Sequence, residues 1–299
     1  MKPALLIMAA GMGSRYGGLK QTDGVGLSGE TLMEYSIYDA LRAGFGEVVF
    51  IIRRDMYPGF KKSVMNRISI HIPVRAVFQD INDLPESTGG NCRRTKPWGT
   101  AHAVWTARKA VTGPFLVVNA DDFYGRESFQ KAGEFLYSNR EQDMACLVGY
   151  EVKNTLSAHG AVTRAICEAD EGHLLRNIIE LHRIRKENGT ILYCTGKKDR
   201  QLEPDTTVSM NMWGFMPRIF SRLGEKFRDF LENHDPGKQE EFLIPSAINE
   251  LIHAGELQVR VLDTPASWIG MTHKEDREAV RRKLAAMVAR GEYPKNLWA

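Results

Sequence analysis

Arg15 and Lys20 stand among four glycines (Gly11, Gly13, Gly17 and Gly18), directly after the apolar run ALLIMA of residues 4–9. Glycines let a backbone turn sharply and come close to an anion, with N–H groups aimed at it. Two cations in such a loop suit a chain of phosphates. The two commonest phosphate loops fail here on position. A G-x-x-x-x-G-K-[ST] loop running from Gly13 and Gly18 needs lysine at residue 19, but Leu19 is there and Lys20 comes one place late. A G-x-G-x-x-G dinucleotide loop accepts Gly11 and Gly13 but meets Tyr16 at its third glycine. Arg53 and Arg54, after the next strand, keep that alternative open as receivers of a 2′-phosphate. A tight turn with solvated charges is the remaining one.

Further polar groups follow other apolar runs. Gln79 ends VRAVFQ (74–79), Gly99 and Thr100 open the helical pattern TAHAVWTARKAV (100–111), and Asp121 and Asp122 follow PFLVVNA (114–120). On an extended chain two adjacent aspartates point to opposite sides, so only one of them faces any single ligand, and Asp122 is also suited to capping a turn.

These residues need a frame that gathers them. Strand-like runs at 4–9, 47–52, 74–79, 114–120 and 144–152 alternate with helical patterns at 31–44, 100–111 and 126–138. That alternation argues for a mostly parallel sheet with helices on both faces, and ligands of such α/β folds bind beyond the carboxyl ends of the strands. The glycine loop, Gln79 and Asp121 fall there. The second half alternates less cleanly: 173–181, 190–194, 207–216 and 257–263 read as strands, and 217–233, 242–255 and 274–291 as helices. Residues 81–98 form a long polar loop, of a length that is often functional or mobile.

Composition bounds the rest. A chain of 299 residues, 43% hydrophobic, buries a full-sized core. A net charge of +3 gives no polyanion-coating surface, so nucleic acid is not an expected partner. No run reaches the roughly 18 apolar residues of a membrane helix. The apolar start ends in glycines and charges rather than in a cleavage site. The four cysteines (Cys92, Cys146, Cys167, Cys194) form no C-x-x-C pair, which points to an intracellular, cytoplasmic protein with reduced thiols.

The opening loop, LIMAAGMGSRYGGLKQ, closely resembles the L-x-A-G-x-G-[ST]-R-x(4–9)-[KP] signature of the sugar-phosphate nucleotidyltransferases, or nucleotide-sugar pyrophosphorylases. KPWGTAHAV (96–104) is similar to the family's G-[TL]-A-x-A segment, and VVNADDFYG (117–125) stands in the place of its acidic metal motif. ELHR (180–183) and VSMNMWGF (208–215) resemble its sugar-contact segment and central strand more weakly.

The resemblance implies a Rossmann-like, three-layer α/β/α fold of the GT-A-like kind with additional β elements in the C-terminal half. It is read as one domain, with a nucleotide-binding half of about 1–125, an acceptor-binding half of about 126–270 and a closing helix. It implies transfer of a nucleotidyl group from a nucleoside triphosphate to a phosphorylated small molecule, usually a sugar 1-phosphate, with release of pyrophosphate. Arg15 and Lys20 would be catalytic. Ala10, Gly11, Gly13, Ser14, Gln79, Gly99 and Thr100 would bind the nucleotide, and Glu180 and Asn211 the acceptor. Asp121 would hold Mg²⁺. Arg183 and Arg185 are candidates for acceptor phosphate or a solvated charged turn, and Trp98 for stacking or loop packing. A phosphocholine-like acceptor, a binding subunit without turnover, and self-association all stay open.

One departure stands out. Many members supply a second carboxylate from W-[FL]-D, whereas this chain reads SWIGMTHKED, with Gly270 in the aspartate's place. Thr272, His273 and Asp276 are candidate replacements, His273 also reading as a plain surface histidine.

Overall fold

The computed structural model describes residues 1–11, 24–86, 94–139, 143–157, 160–196, 198–233, 239–270 and 276–299. Its first half is a parallel sheet. Strands β1 (Ala4–Met8), β2 (Glu47–Ile52), β3 (Val74–Phe78) and β4 (Phe115–Asn119) lie in the order β4-β1-β2-β3. Met8 is level with both Ile51 and Asn119, and Ile52 with Phe78. Burial on both faces explains the unbroken apolar sequences: in β1, Leu5 and Ile7 enter one core while Ala4 and Leu6 enter the other.

The second half adds β5 (Asp122–Phe123), β6 (Met144–Glu151), β7 (Val162–Ala169), β8 (Leu175–Glu187), β9 (Thr190–Thr195), β10 (Lys198–Leu202), β11 (Thr207–Phe215), β12 (Gln258–Thr264) and β13 (Ile269–Gly270). β11 joins the halves by pairing antiparallel with β4, β6 and β7. From β7 the sheet continues antiparallel through β8, β9 and β10, while β12 runs parallel to β6.

Helices cover both faces. Leu32–Arg42, the helical stretch 54–68 and Arg126–Ser138 bury Met33, Ile37, Phe60, Val64, Phe129 and Ala132 on one side. Thr100–Thr106, Ile219–Asn233 and Ile244–His253 bury Val104, Leu223, Phe227 and Leu251 on the other. The chain therefore has the expected three-layer α/β/α fold. The sequence reading overlooked the stretch 54–68, the strands β7 and β10, and the two-residue pair β5/β13.

A third apolar cluster fastens the C-terminal segment to the first helix. Val280 and Leu284 of the helix Asp276–Ala289, with Tyr293 and Leu297 beyond it, pack on Leu32, Tyr35, Phe123 and Ile269. Polar bonds reinforce the junction. Glu34, fully buried, completes a capping box with Thr31 and accepts from Arg67 (2.6 Å) and Trp298 Nε1 (2.9 Å). Buried Asp39 accepts from the Tyr293 hydroxyl at 2.6 Å.

Burial raises the Asp39 carboxyl to about 7, with Tyr293, Arg42 and Arg126 opposing the shift. The native state thus holds a proton that the unfolded chain releases near pH 4. Stability from this group is full below that pH and lost as pH rises to about 7. We expect Asp39→Asn to flatten that slope. The wild-type-minus-variant difference in unfolding free energy should shift by on the order of 3 kcal/mol between pH 4 and 8, read by denaturant titration.

Candidate functional site

The carboxyl edge of the parallel strands carries Ala10, Gly11, Gln79 and Asp121. Ala10 and Gly11 follow β1, with Ala9 N–H donating to Ile51 O (2.8 Å) and Ala120 N–H to Met8 O (3.1 Å). Asp121 leaves the end of β4, half-buried, two positions after Asn119. Gln79 leaves β3, its N–H donating to Ile52 O at 2.9 Å. Gly13, Ser14, Arg15 and Lys20 lie outside the described residues, as do Thr272 and His273.

Gln79 meets Gly99 directly. Its Nε2 donates to Gly99 O at 3.0 Å and faces His102 Nδ1 at 3.4 Å. Gly99 has φ +117°, and a Cβ there would stand 2.5 Å from Phe242 O. The glycine is therefore required by the close approach of the 242–244 segment as well as by its backbone angle. Thr100 opens the helix, and its Oγ1 accepts from Ile244 N–H at 3.0 Å. Gln79, Gly99 and Thr100 thus form one connected group.

The acidic turn is bonded to the central strand. Asp122 is buried and its Oδ2 accepts from Asn119 Nδ2 at 2.8 Å. The Tyr124 hydroxyl accepts from Asn119 N–H (3.0 Å) and lies 3.0 Å from Met210 O and 3.3 Å from Asp122 Oδ2. Burial raises its pKa well above the usual tyrosine value, so it remains a donor. Asn211 follows Met210 where the β11 register breaks, between Ser209 and Trp213. It adopts φ +60°, and its N–H donates to Ser209 Oγ at 3.2 Å. Asparagine tolerates the left-handed region, and a break of this kind re-aims a side chain.

Gly270 pairs with Asp122 across β13/β5. A Cβ on it would lie 2.1 Å from Trp268 Cζ2 and 2.9 Å from Asp122 Oδ1. The position expected to carry a second carboxylate therefore has no room for one. Trp268 in turn stacks under the buried guanidinium of Arg164 at 4.7 Å. Asp276 is buried at the start of the last helix.

Glu180 is exposed on β8, level with Ala165 of β7, which is level with Ser209 of β11. Two strand spacings, about 10 Å, separate it from Ser209. His182 approaches both Glu180 Oε1 (3.8 Å) and Thr163 Oγ1 (3.2 Å) at a bulge where Arg183 has φ +56°. Several candidates prove to be engaged elsewhere. Arg185 binds both oxygens of Asp199 as well as Glu187. Arg53 pairs with Asp55, and Arg54 lies over the Phe78 ring. Trp98 is buried against Phe227, with its Nε1 donating to Ile81 O. Arg94 of the long loop covers Trp98 and donates to Lys96 O and Pro97 O.

The model of the family described as Nucleotidyl transferase matches residues 4–201. The chain belongs to the nucleotidyl transferase family. Among solved structures, a UDP-glucose pyrophosphorylase complexed with UDP-glucose is similar at 16% identity and TM-score 0.60, covering 96% of this chain and 99% of the other. The inositol-1-phosphate CTP transferase of T. maritima is similar at 12% identity and TM-score 0.63, with 96% of each chain covered. At these identities the likeness is one of fold. No curated protein matches in sequence.

For this nucleotidyl transferase, nucleotidyl transfer is the general chemistry. Among the described residues no three His, Cys, Asp or Glu side chains converge as a metal-holding group. The site instead offers the half-buried Asp121, which fits a Mg²⁺ ion bound through one carboxylate, substrate phosphates and water. No helix among the described residues is long and apolar enough to cross a membrane. Two residues of the site escaped the sequence reading. Tyr124 left no signal there. His102 did leave one, as a lone imidazole on the buried face of TAHAVWTARKAV.

Proposed function

We propose that the chain joins a nucleoside triphosphate to a phosphorylated small molecule, a sugar 1-phosphate, and releases pyrophosphate. The observation that carries this reading is the placement of Gly11, Asp121 and Gln79 along one carboxyl edge, beside the strand that delivers Asn211. A phosphate oxygen of the acceptor attacks the α-phosphorus. A new P–O bond forms as the bond to pyrophosphate breaks. Little covalent work falls to the protein, so positioning and charge stabilisation supply the rate.

In this reading the Ala10–Ser14 backbone and Arg15 hold the outer phosphates. Lys20 serves the α-phosphate and the incoming one, Gln79, Gly99 and Thr100 bind the base, and Glu180 and Asn211 the acceptor. Asp121 would hold a Mg²⁺ ion, which when bound would supply neutralisation of phosphate charge.

The test is pyrophosphate release from a panel of triphosphates and sugar 1-phosphates, with phosphocholine as a further acceptor. Release by the wild type that falls roughly a hundredfold or more in Asp121→Asn supports the reading. The crowded Gly270 favours one second reading, a nucleotide-sugar-binding subunit without turnover. Binding of nucleotide sugars with no release from any pair would select it.

A further inference from the structure

Gln79 belongs to a hydrogen-bonded chain whose direction is set at both ends. At one end His102 Nε2 lies 2.9 Å from Asp83 O, and at the other Gln79 Nε2 lies 3.0 Å from Gly99 O. Both terminal groups are carbonyls, which only accept. The imidazole proton must therefore sit on Nε2, which leaves Nδ1 an acceptor, and Nδ1 faces Gln79 Nε2 at 3.4 Å. Turning the amide over would set its oxygen against Gly99 O and His102 Nδ1, two acceptors, with nothing to donate.

The imidazole cannot escape this role by taking a second proton. It is fully buried in a cluster with Trp105 and Phe227, and burial lowers its pKa to about 4. The nearby Arg108 guanidinium is itself bound to the Asp83 carboxylate, at 2.6 and 2.8 Å. With both Nε2 protons spent inward and Gln79 only partly covered, Oε1, which meets no donor among the described residues, is the atom left for a ligand.

We infer that His102 is a positioning residue that fixes the hydrogen-bond polarity of the base site. Gln79 presents an acceptor, and the site favours bases that carry a proton on the ring nitrogen of their pairing edge. Those are uracil, thymine and guanine. Cytosine and adenine present a lone pair at that nitrogen and are disfavoured. This inference rests on the nucleotidyl-transfer reading and on Gln79 as its base contact.

The experiment measures binding, so that it does not depend on turnover. Calorimetric Kd values with Mg²⁺ are taken for UTP, dTTP, GTP, CTP and ATP against the wild type, His102→Phe and His102→Asn. Phenylalanine fits the aromatic surroundings but accepts nothing. Asparagine keeps an acceptor near the Nδ1 position. The wild type should prefer the first three triphosphates by tenfold or more. His102→Phe should narrow that ratio about fivefold, the worth of one neutral hydrogen bond, and His102→Asn should restore most of it. A purely packing role for His102 predicts an unchanged ratio. The ¹⁵N shifts of His102 in the wild type should report the neutral Nε2–H tautomer from pH 6 to 8, a readout that survives if either variant fails to fold.

A flat panel, a preference for CTP or ATP, an unmoved ratio in His102→Phe or an Nδ1–H tautomer would each overturn the inference. Any of these can occur while pyrophosphate release stands. Absence of binding by every triphosphate would remove the nucleotidyl-transfer reading and this inference together.

Discussion

Gly270→Asp should destabilise the protein by about 3 kcal/mol or more and leave its metal dependence unimproved. The first β-carbon is already too much. It would stand 2.1 and 2.3 Å from two Trp268 ring carbons, and Trp268 is buried with Arg164 stacked on it. The ring must move, and the guanidinium, bonded to the carbonyls of Thr155 and Thr163, must move with it. A carboxylate there would also approach Asp122 Oδ1, placing like charges side by side in a buried turn. Denaturant unfolding of Gly270→Ala separates the two effects. Alanine should show most of the loss, because sterics dominate. A Gly270→Asp protein within about 0.5 kcal/mol of the wild type would show that Trp268 yields freely and that a second carboxylate could be accommodated.

The second large effect concerns the two cations of the opening loop. In the proposed reaction, charge grows on the leaving pyrophosphate as the bond to the α-phosphorus breaks. Arg15→Ala and Lys20→Ala should each lower kcat by roughly a hundredfold to a thousandfold, about 3–4 kcal/mol of transition-state stabilisation. Triphosphate binding should weaken far less, since in the proposed reading backbone N–H groups would also hold the ground-state phosphates. The double variant should lose less than the sum of the singles, because both charges serve the same transition state. Single-turnover pyrophosphate release, with Kd measured separately, makes the distinction. Equal losses in Kd and kcat/KM with kcat unchanged would instead assign both residues to uniform binding.

The sequence made the site's frame easy to read and its details hard. β1, β2 and β4 announce themselves because burial on both faces demands unbroken apolar runs, and the edge at which their polar residues gather follows from parallel pairing. The stretch 54–68 holds Pro58 and Gly59, residue types that interrupt a helical pattern, although Pro58 sits in the first turn of a short helix where its missing N–H is harmless. β7 was obscured by Arg164, a buried cation in a strand. β10 is a nearly all-exposed edge strand, KDRQL, with no apolar pattern to find. The β5/β13 pair is two residues long, and only the fold brings it together. For the same reason Gly270 read as a missing carboxylate, when its neighbours leave no space for one.

The junction of the chain end with the first helix also bears on how the protein is made. Glu34 and Asp39 leave the ribosome well before Trp298 and Tyr293, which bind them and come 264 and 254 residues later. Until then the helix Leu32–Arg42 carries two acidic groups destined for burial without those partners. Leu32 and Tyr35 likewise lack the cover of Leu284 and Leu297. The parallel strands β1 to β4 are complete in the chain by residue 119, but this face of the first helix stays uncovered until residues 280–298 have been made, and an uncovered apolar face is prone to association.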